Sequence, residues 1–377
     1  MSFAYAGAMR YDGARWKGFR KGKRRSLANT AGFSIFLCPP EEPEFILHVP
    51  FRFLLTGACF PLSLTGISSS MYLFQLADRV SRGLKTLDSE RLDRHRTFLL
   101  TQQMDDGGFR GREGDSDLYY TGFAVRGLAV TGGLDGAHPE KIAEFLQQHP
   151  PLELNVIDLL SWLYTALVVQ AAGGEDLLAD APADFVTQVS ARLESTRVSD
   201  GGYAKSVKGS AGSTYHSFMV ALTYELLGQK VPRPNRLIQF LYDRQRDDGG
   251  FVEIAPMRRS GTNPTAAAVA LLHSLGGMDP DIEDDVQGFL TDVVSTEGGF
   301  QANTRIPFAD GLSTFTGLLT GQDLGRRDII KPPQVLHWLE SQIEAPEGGF
   351  RGASWDQQTD AEYTFYGLGI LGLLHSK

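Results

Sequence analysis

Two patterns of apolar and polar residues alternate along most of the chain. The first is amphipathic: within residues 236–242, Leu237, Ile238 and Leu241 fall on one side of a helix and charge falls on the other. This pattern predicts a helix that is half buried and half exposed. It occurs six times, over residues 93–103, 139–148, 183–196, 235–246, 281–296 and 333–343.

The second pattern is apolar all round, as in residues 265–272 and 364–374. A helix without a polar face is buried on every side. Each such stretch begins at a polar residue suited to cap a helix N-terminus, and these residues are Asp117, Asn155, Ser213, Thr262, Asp310 and Asp360. The chain is therefore predicted to form six hairpins, each an outer amphipathic helix followed by an inner buried one. Residues 72–80 predict one further helix, the first of the array.

A glycine pair followed by an aromatic residue separates the two patterns, first as Asp105-Asp106-Gly107-Gly108-Phe109. The first glycines of the pairs stand at positions 107, 201, 249, 298 and 348, at intervals of 94, 48, 49 and 50. The first interval is close to twice the others, so one unit has lost its signature near residue 154. A fixed period in this range is typical of repeat architectures. Six hairpins are expected to close into a ring, because neither the first nor the last repeat is unusually polar.

The segment from Gln102 to Phe109 and its relatives resemble the repeats of protein prenyltransferase β subunits and class II terpenoid cyclases. The resemblance covers about residues 72–377 and is closest to the β subunit of Rab-type (type II) geranylgeranyl transferase. It implies an all-α (α/α)6 toroid over residues 71–377, six inner helices inside six outer ones. It also implies a central apolar cavity for an isoprenoid or its diphosphate, and an α-subunit-like protein partner.

In such a toroid the N-terminal ends of the inner helices surround one mouth of the cavity, where helix dipoles favour anions. Candidate ligand-binding residues are therefore the aromatic residues of the inner helices and their loops, together with His216 as a base and Arg305 as a loop cation. The aromatic candidates are Tyr119, Tyr120, Tyr215, Phe315, Trp355, Tyr363 and Tyr366. The alternative interpretation is that each aromatic is ordinary core and that Arg305 is a solvated loop charge.

The resemblance also implies a zinc ion held by an Asp, a Cys two residues later and a His about fifty residues after that. The corresponding positions here are Asp310, Leu312 and Tyr363. Leucine has no lone pair and neutral tyrosine is a poor zinc ligand, so only Asp310 matches. We therefore expect no functional zinc site, and we interpret Asp310 as a helix cap.

Class II cyclases protonate an alkene with an Asp-x-Asp-Asp motif, and Asp115-Ser116-Asp117-Leu118 lacks its fourth position. Three hypotheses remain open. The chain is a prenyltransferase-type enzyme, a cyclase-like enzyme that uses another acid, or a non-catalytic toroid that binds a lipid or a partner protein.

The charge of the chain bears on the class of its partners, and its cysteine content limits the chemistry of the repeats. The 377 residues carry a net charge of −9, divided as +5 on residues 1–70 and −14 on the remainder. An acidic body argues against nucleic acid as the partner. The two cysteines, Cys38 and Cys59, precede the repeats, which excludes a disulfide framework and thiolate chemistry within the array.

Residues 1–70 are expected to be either a weakly structured extension or an upstream sequence that is not normally translated, since Met71 stands directly before the first predicted helix. The uncharged run 53–77 raises a membrane anchor as the alternative, since 25 residues could span a bilayer. Gly57, Pro61 and Gly66 argue against a spanning helix, so a cytoplasmic protein is the expectation.

Overall fold

The computed structural model describes residues 71–376, so the predictions for residues 1–70 lie outside the described part. The helices are α1 (Tyr72–Leu84), α2 (Ser89–Leu100), α3 (Leu118–Thr131), α4 (His138–Gln147), α5 (Val156–Ala171), α6 (Phe185–Glu194), α7 (Thr214–Leu226), α8 (Pro234–Tyr242), α9 (Thr262–Leu275), α10 (Pro280–Asp292), α11 (Gly311–Asp323), α12 (Pro332–Trp338) and α13 (Ala361–His375). A short 3-10 helix spans Pro151–Glu153, and a π turn, Leu339–Ile343, extends α12. Two short antiparallel pairs join β1 (Phe109–Arg110) to β2 (Ser116–Asp117) and β3 (Phe350–Arg351) to β4 (Thr359–Asp360).

Six inner helices form a closed ring. They are α3, α5, α7, α9, α11 and α13; each packs against the next, and α13 packs against α3. The amphipathic helices α2, α4, α6, α8, α10 and α12 lie outside them, in the order that the two hydrophobic patterns predict. The predicted all-α (α/α)6 toroid is confirmed.

Five of the six predicted N-cap residues cap their helices, and one prediction is wrong. Asp117, for example, accepts a hydrogen bond from the Tyr120 backbone N–H at 2.7 Å. At α9 the N-cap position belongs to Gly261, and Thr262 is the first helical residue. The Thr262 hydroxyl instead donates to the Gln301 carbonyl at 2.5 Å, so the neighbouring repeat uses the side chain that we expected to cap α9.

Each glycine pair lets a turn approach the next outer helix very closely. Gly348 has φ +105°, and a Cβ built there would lie 2.3 Å from the Arg94 carbonyl oxygen of α2. The first glycines of the other four pairs are placed in the same way against α4, α8, α10 and α12. The Gly348 contact joins the last repeat to the first outer helix and so closes the outer layer.

The aromatic residue after each pair is buried, and its backbone N–H donates to a hydroxyl of the following inner helix. The Phe109 N–H donates to Thr121 Oγ1 at 2.8 Å, and the four other aromatic positions repeat this bond at 2.9–3.1 Å. The acceptor always lies four residues after the N-cap. In the repeat without glycines this position is Leu159, so the turn signature and the hydroxyl are lost together.

An arginine ties down the turn that lacks the signature. Arg192 of α6 donates to the Leu152 carbonyl, and to the Glu153 carbonyl at 3.0 Å, and both acceptors lie in the 3-10 helix. In this repeat, a side chain of the next outer helix binds the backbone of the turn. In the other repeats, the backbone of the turn packs directly against the next outer helix.

We expect Arg192→Ala to lower the free energy of unfolding by about 1–2 kcal/mol, because it leaves two carbonyl groups without their donor. Urea unfolding followed by circular dichroism measures this. Arg82→Ala is the control, since Arg82 and Asp78 form an exposed pair on α1 worth about 0.5 kcal/mol or less. Equal midpoints for the two variants would show that Arg192 does not hold the turn.

Helix α1 lies across the end of the ring where the inner helices finish. The Tyr72 N–H donates to Glu225 Oε1 at 3.0 Å, near the end of α7, and Arg79 pairs with Asp323 at 2.7 Å, at the end of α11. Gly83 packs directly against Gly372 of α13. This end of the ring is opposite the N-caps. No helix between residues 71 and 376 has both the length and the apolar content needed to cross a bilayer.

Candidate functional site in the inner ring

Aromatic side chains of three adjacent inner helices meet near the N-cap end. We call Tyr119 and Phe123 of α3, Phe315 of α11, and Phe365 and Tyr366 of α13 the aromatic cluster. Ring centroids are 5.0 Å apart for Tyr119–Phe123, 5.4 Å for Phe123–Tyr366 and 5.5 Å for Phe315–Tyr366. Most of the ring pairs are edge-to-face or tilted, the arrangement that aromatic quadrupoles favour.

Two more predicted residues lie beside the cluster. The Tyr120 ring contacts Tyr119 at 5.4 Å, and the Tyr363 ring lies 6.2 Å from Tyr366. Five of the predicted aromatics, Tyr119, Tyr120, Phe315, Tyr363 and Tyr366, are therefore brought together.

A carboxyl group stands within this aromatic region. Glu362, the second residue of α13, accepts hydrogen bonds from the Tyr119 hydroxyl at 2.8 Å and from the Tyr366 hydroxyl at 3.4 Å. Burial, with a smaller effect from the charge of Asp360, raises the pKa of Glu362 from its ordinary value of 4.5 to about 7. A carboxyl with a pKa near 7 can both hold and release a proton at neutral pH.

The start of α13 explains why this carboxyl has no cationic partner of its own. The neighbouring cation, Arg112, binds Asp360 at 2.8 Å and Asp356 at 2.5 Å, so it is already shared between two carboxylates. The helix N-terminus favours a carboxylate at Glu362, but desolvation outweighs that effect. The side-chain hydrogen bonds that Glu362 accepts therefore come from the phenols of Tyr119 and Tyr366.

Arg126 forms a second polar position inside the ring. Its guanidinium lies over the Phe123 ring at 5.3 Å and over the Tyr164 ring of α5 at 4.9 Å. Arg126 Nε is buried without an acceptor, and no ion pair or hydrogen bond joins the side chain to another residue of the described part. It follows Tyr119 by seven residues, which places it about 10 Å further along α3.

Tyr215 combines an accessible surface with a desolvated hydroxyl. It is the second residue of α7 and is 37% exposed, yet burial raises its pKa to about 12, and the charges of Glu362 and Glu253 raise it as well. Helix α7 lies across the ring from α13, so the influence of Glu362 on Tyr215 acts across the centre.

His216, the predicted base, is enclosed beside Tyr215. Burial lowers its pKa to about 4, with a smaller effect from Lys205, so the imidazole is neutral at pH 7. Its Nδ1 lies 3.4 Å from the Ser213 hydroxyl, and it is 6% exposed.

Two predicted residues lie in loops apart from the cluster. Arg305 is exposed in the loop before α11, where its N–H bonds to Asn303 at 3.0 Å. Trp355 is 67% exposed in the loop between β3 and β4. The described part of the chain contains no ring contact between Trp355 and the aromatic cluster.

The positions that correspond to the zinc ligands do not fit a zinc ion. Asp310 caps α11 by accepting from the Ser313 N–H at 2.7 Å, as predicted. Leu312 offers no donor atom, and burial raises the pKa of Tyr363 far above neutrality, so its phenol stays protonated. Among residues 71–376, no three His, Cys, Asp or Glu side chains are close enough to share a metal ion.

The prenyltransferase alpha-alpha toroid domain matches this chain over residues 67–153 and 160–377, and the protein belongs to that family. The family inferred from the glycine repeats is confirmed. The unmatched residues 154–159 follow the turn that lacks the glycine signature.

Several solved structures share the fold. One is protein geranylgeranyltransferase-I of Candida albicans in complex with GGPP, 16% identical, with a TM-score of 0.50 over 79% of this chain and 84% of that one. Another is a variant of the type II terpene cyclase MstE from Scytonema, 15% identical, with a TM-score of 0.50 over 81% of this chain and 98% of that one. A second variant of this cyclase, in complex with its substrate geranylgeranyl dihydroxybenzoate, matches with 15% identity, a TM-score of 0.50 and coverage of 80% and 98%. At these identities the similarity establishes the fold.

Sequence reasoning missed Glu362 and Arg126, although both carry the same signal. Arg126 is the only charged residue of α3, and Glu362 is the only acidic residue of α13. A single charge in an otherwise apolar helix is unusual, because burying an unpaired charge is unfavourable. A lone charged residue within a predicted inner helix could therefore have been selected from the sequence as a candidate site residue.

Proposed function

We propose that this protein binds an isoprenoid chain in a central chamber lined by the aromatic cluster and Tyr215, as a prenyltransferase-like toroid that works without the zinc site of the family. The observation that carries the proposal is the meeting of aromatic side chains from α3, α11 and α13, with the partly exposed Tyr215 on α7 at the opposite side of the ring. Ring faces and edges suit an unsaturated apolar chain, and each CH₂ removed from water contributes about 0.8 kcal/mol to binding.

The relatives support this class of ligand. The Candida albicans enzyme was solved with GGPP, and the Scytonema cyclase was solved with a geranylgeranyl-bearing substrate. The finer inference from the sequence, a specific kinship with the type II β subunit and an α-subunit-like partner, is part of this proposal and follows from the repeat resemblance.

Tyr215→Ala is expected to weaken binding of geranylgeraniol about 5- to 10-fold, because it removes apolar wall area from the chamber. Tyr242→Ala is the matched control: that tyrosine is 40% exposed, but it lies on the outer helix α8. Native mass spectrometry and intrinsic fluorescence titration of the full chain measure occupancy and affinity. The proposal is wrong if no chain of 10 to 20 carbons binds the wild type, or if the two variants bind equally.

A second function, cyclisation of the bound chain, is favoured by Glu362. Its protonated carboxyl can transfer a proton to a terminal alkene carbon, which leaves a carboxylate on Glu362 and a tertiary cation on the chain. The Tyr119 hydroxyl bond at 2.8 Å stabilises that carboxylate, and ring faces stabilise the cation. Loss of a proton from the cyclised cation, with reprotonation of Glu362 from solvent, balances the reaction.

One incubation separates these functions. Radiolabelled geranylgeranyl diphosphate and squalene are offered to the wild type and to Glu362→Gln, and the products are scored as protein-linked, cyclised or unchanged. A cyclised product absent from the variant supports the second function. Bound but unchanged lipid supports binding alone, and a protein-linked product supports zinc-independent transfer.

A further inference from the structure

We infer that two copies of this chain pair face to face through the N-cap end of the ring, with acidic loops of one copy against basic loops of the other. The surface consists of the six segments that precede the inner helices, which we call loops 1 to 6. They span residues 110–117, 148–155, 204–213, 252–261, 301–310 and 351–360. The inference concerns this outer face and goes beyond the proposed chain binding.

Exposed apolar side chains are concentrated at this end of the ring. In the described part of the chain, six of the seven exposed large apolar side chains lie here, five in loops 3 to 6 and one at the start of α7: Val207, Tyr215, Met257, Ile306, Phe308 and Trp355. Phe308 is 46% exposed and Ile306 is 39% exposed. Exposed apolar residues gathered on one face mark an interaction surface, and aromatic residues and Met are enriched in protein–protein interfaces.

Hydrogen bonds between neighbouring repeats fix the backbone of these loops. The Thr214 N–H of α7 donates to the Glu253 carbonyl of loop 4 at 3.0 Å, and the Thr262 N–H of α9 donates to the Ala302 carbonyl of loop 5 at 3.0 Å. The Gly311 N–H of α11 binds loop 6 in the same way, at 2.8 Å. The exposed side chains therefore stand on an ordered backbone, which lowers the entropic cost of association.

Charge is divided unevenly around this face. The exposed charged side chains of loops 1 and 2 are acidic, namely Glu113, Asp115, Asp117 and Glu153. Those of loops 3 to 5 are basic, namely Lys205, Lys208, Arg258, Arg259 and Arg305. Within residues 71–376, none of these nine side chains forms an ion pair. One side of the face can therefore attract the other side of a second copy.

The order of the loops makes the face self-complementary. The inner helices follow one another in chain order and α13 returns to α3, so loops 1 to 6 follow one another around the ring. A two-fold axis that passes between loops 2 and 3, and between loops 5 and 6, sets loop 1 against loop 4, loop 2 against loop 3 and loop 5 against loop 6. Both acidic loops then meet basic loops, and Phe308 of one copy meets the loop that carries Trp355 of the other. A two-fold contact of this kind forms every favourable pair twice.

A lipid surface suits this face less well than a second copy. The basic and apolar loops 3 to 5 alone would suit anionic headgroups. Loops 1 and 2 lie at the same end of the ring, however, and their exposed carboxylates would be repelled. A second copy satisfies both signs of charge and covers the apolar loops as well.

Sedimentation velocity of the full chain tests the pairing. The wild type is expected to form a dimer whose fraction grows with protein concentration. Two double variants, Arg258→Glu with Arg259→Glu and Glu113→Arg with Asp115→Arg, are each expected to weaken dimerisation about tenfold or more, because loops 1 and 4 of the two copies then carry like charge. An equimolar mixture of the two double variants is expected to restore the dimer, since each loop 1 then faces a loop 4 of opposite sign. Restoration would also show that both variants are folded.

Arg236→Glu is the matched control, because it reverses an exposed cation on the outer helix α8. It is expected to leave the dimer unchanged. Phe308→Ser is expected to weaken the dimer about fivefold, since it removes apolar contact area. Raising the salt concentration is expected to weaken the wild-type dimer as well, because exposed charges are screened.

Three results would overturn the inference: a wild type that stays monomeric up to about 100 μM, a mixture of the double variants that stays monomeric, or a control that dissociates as readily as they do. Flotation with vesicles of phosphatidylcholine and phosphatidylserine distinguishes the lipid alternative. A monomer that floats with these vesicles, and no longer does so after Phe308→Ser, would assign the face to a lipid surface and contradict the pairing.

Discussion

Replacing Gly348 by alanine is expected to lower the free energy of unfolding by roughly 3 kcal/mol or more. Two effects combine at this position. A φ of +105° is strained for any residue with a Cβ, at about 1–3 kcal/mol. The new methyl group would also meet the Arg94 carbonyl oxygen at 2.3 Å, and relief of such overpacking typically costs about 1–3 kcal/mol. Urea unfolding of both proteins, with equal m-values as a check, measures the loss.

Gly228→Ala isolates the steric part of this effect. Gly228 follows α7 with a φ of +66°, and a Cβ there would meet nothing within 4 Å. Only backbone strain remains, so a loss of about 1–2 kcal/mol is expected. If the two alanine variants lose the same stability, the close approach of the Gly348 turn to α2 contributes nothing, and our account of ring closure fails.

The second large effect is a pH dependence of stability that Glu362 creates. Its pKa is about 7 in the folded protein against an ordinary 4.5, because of burial and the charge of Asp360. The folded state keeps the proton over a range in which the unfolded state has lost it. The stabilisation is therefore fully present below pH 4.5 and is lost as the pH rises through 7. The shift corresponds to roughly 3 kcal/mol.

Glu362→Gln is expected to remove this slope, because glutamine resembles the protonated acid at every pH and can still accept from Tyr119. The difference in unfolding free energy between variant and wild type is expected to grow by up to roughly 3 kcal/mol from pH 4.5 to 8 in favour of the variant. Asp310 and Asp323 also have raised pKa values, but they are common to both proteins and cancel in the difference. Glu113→Gln, in an exposed loop, is expected to follow the wild type. A constant difference across this range would contradict a protonated Glu362.

The architecture followed from the sequence because the period and the polarity of its segments are local signals that repeat. Where one copy was degenerate, the others supplied the missing information, as at the turn before Asn155. Thr262 shows the limit of this reasoning: its sequence suits a cap, but the hydroxyl is used by the adjacent repeat at Gln301. A contact between two repeats cannot be predicted from the sequence pattern of either repeat alone.

The candidate site was predicted only in part, for the same reason. The aromatic residues could be assigned to inner helices one at a time, and five of them meet. The bond between Tyr119 and Glu362 joins residues 243 positions apart, and the isolation of Arg126 depends on what every neighbouring helix lacks. Neither property is contained in one segment. The mismatched zinc positions, in contrast, needed only a comparison of residue types.

The closure of the outer layer has a consequence for biosynthesis. His95 on α2 accepts the Gly349 N–H at 3.0 Å and lies 3.1 Å from Glu344, about 250 residues later in the chain. The first hairpin therefore waits for its final neighbours until almost the whole polypeptide has left the ribosome. During that interval the apolar inner helices of the earlier repeats lack a completed ring, and intermediates with exposed apolar surface are prone to aggregate. The nascent chain is thus an expected client of chaperones that shield such surfaces during translation.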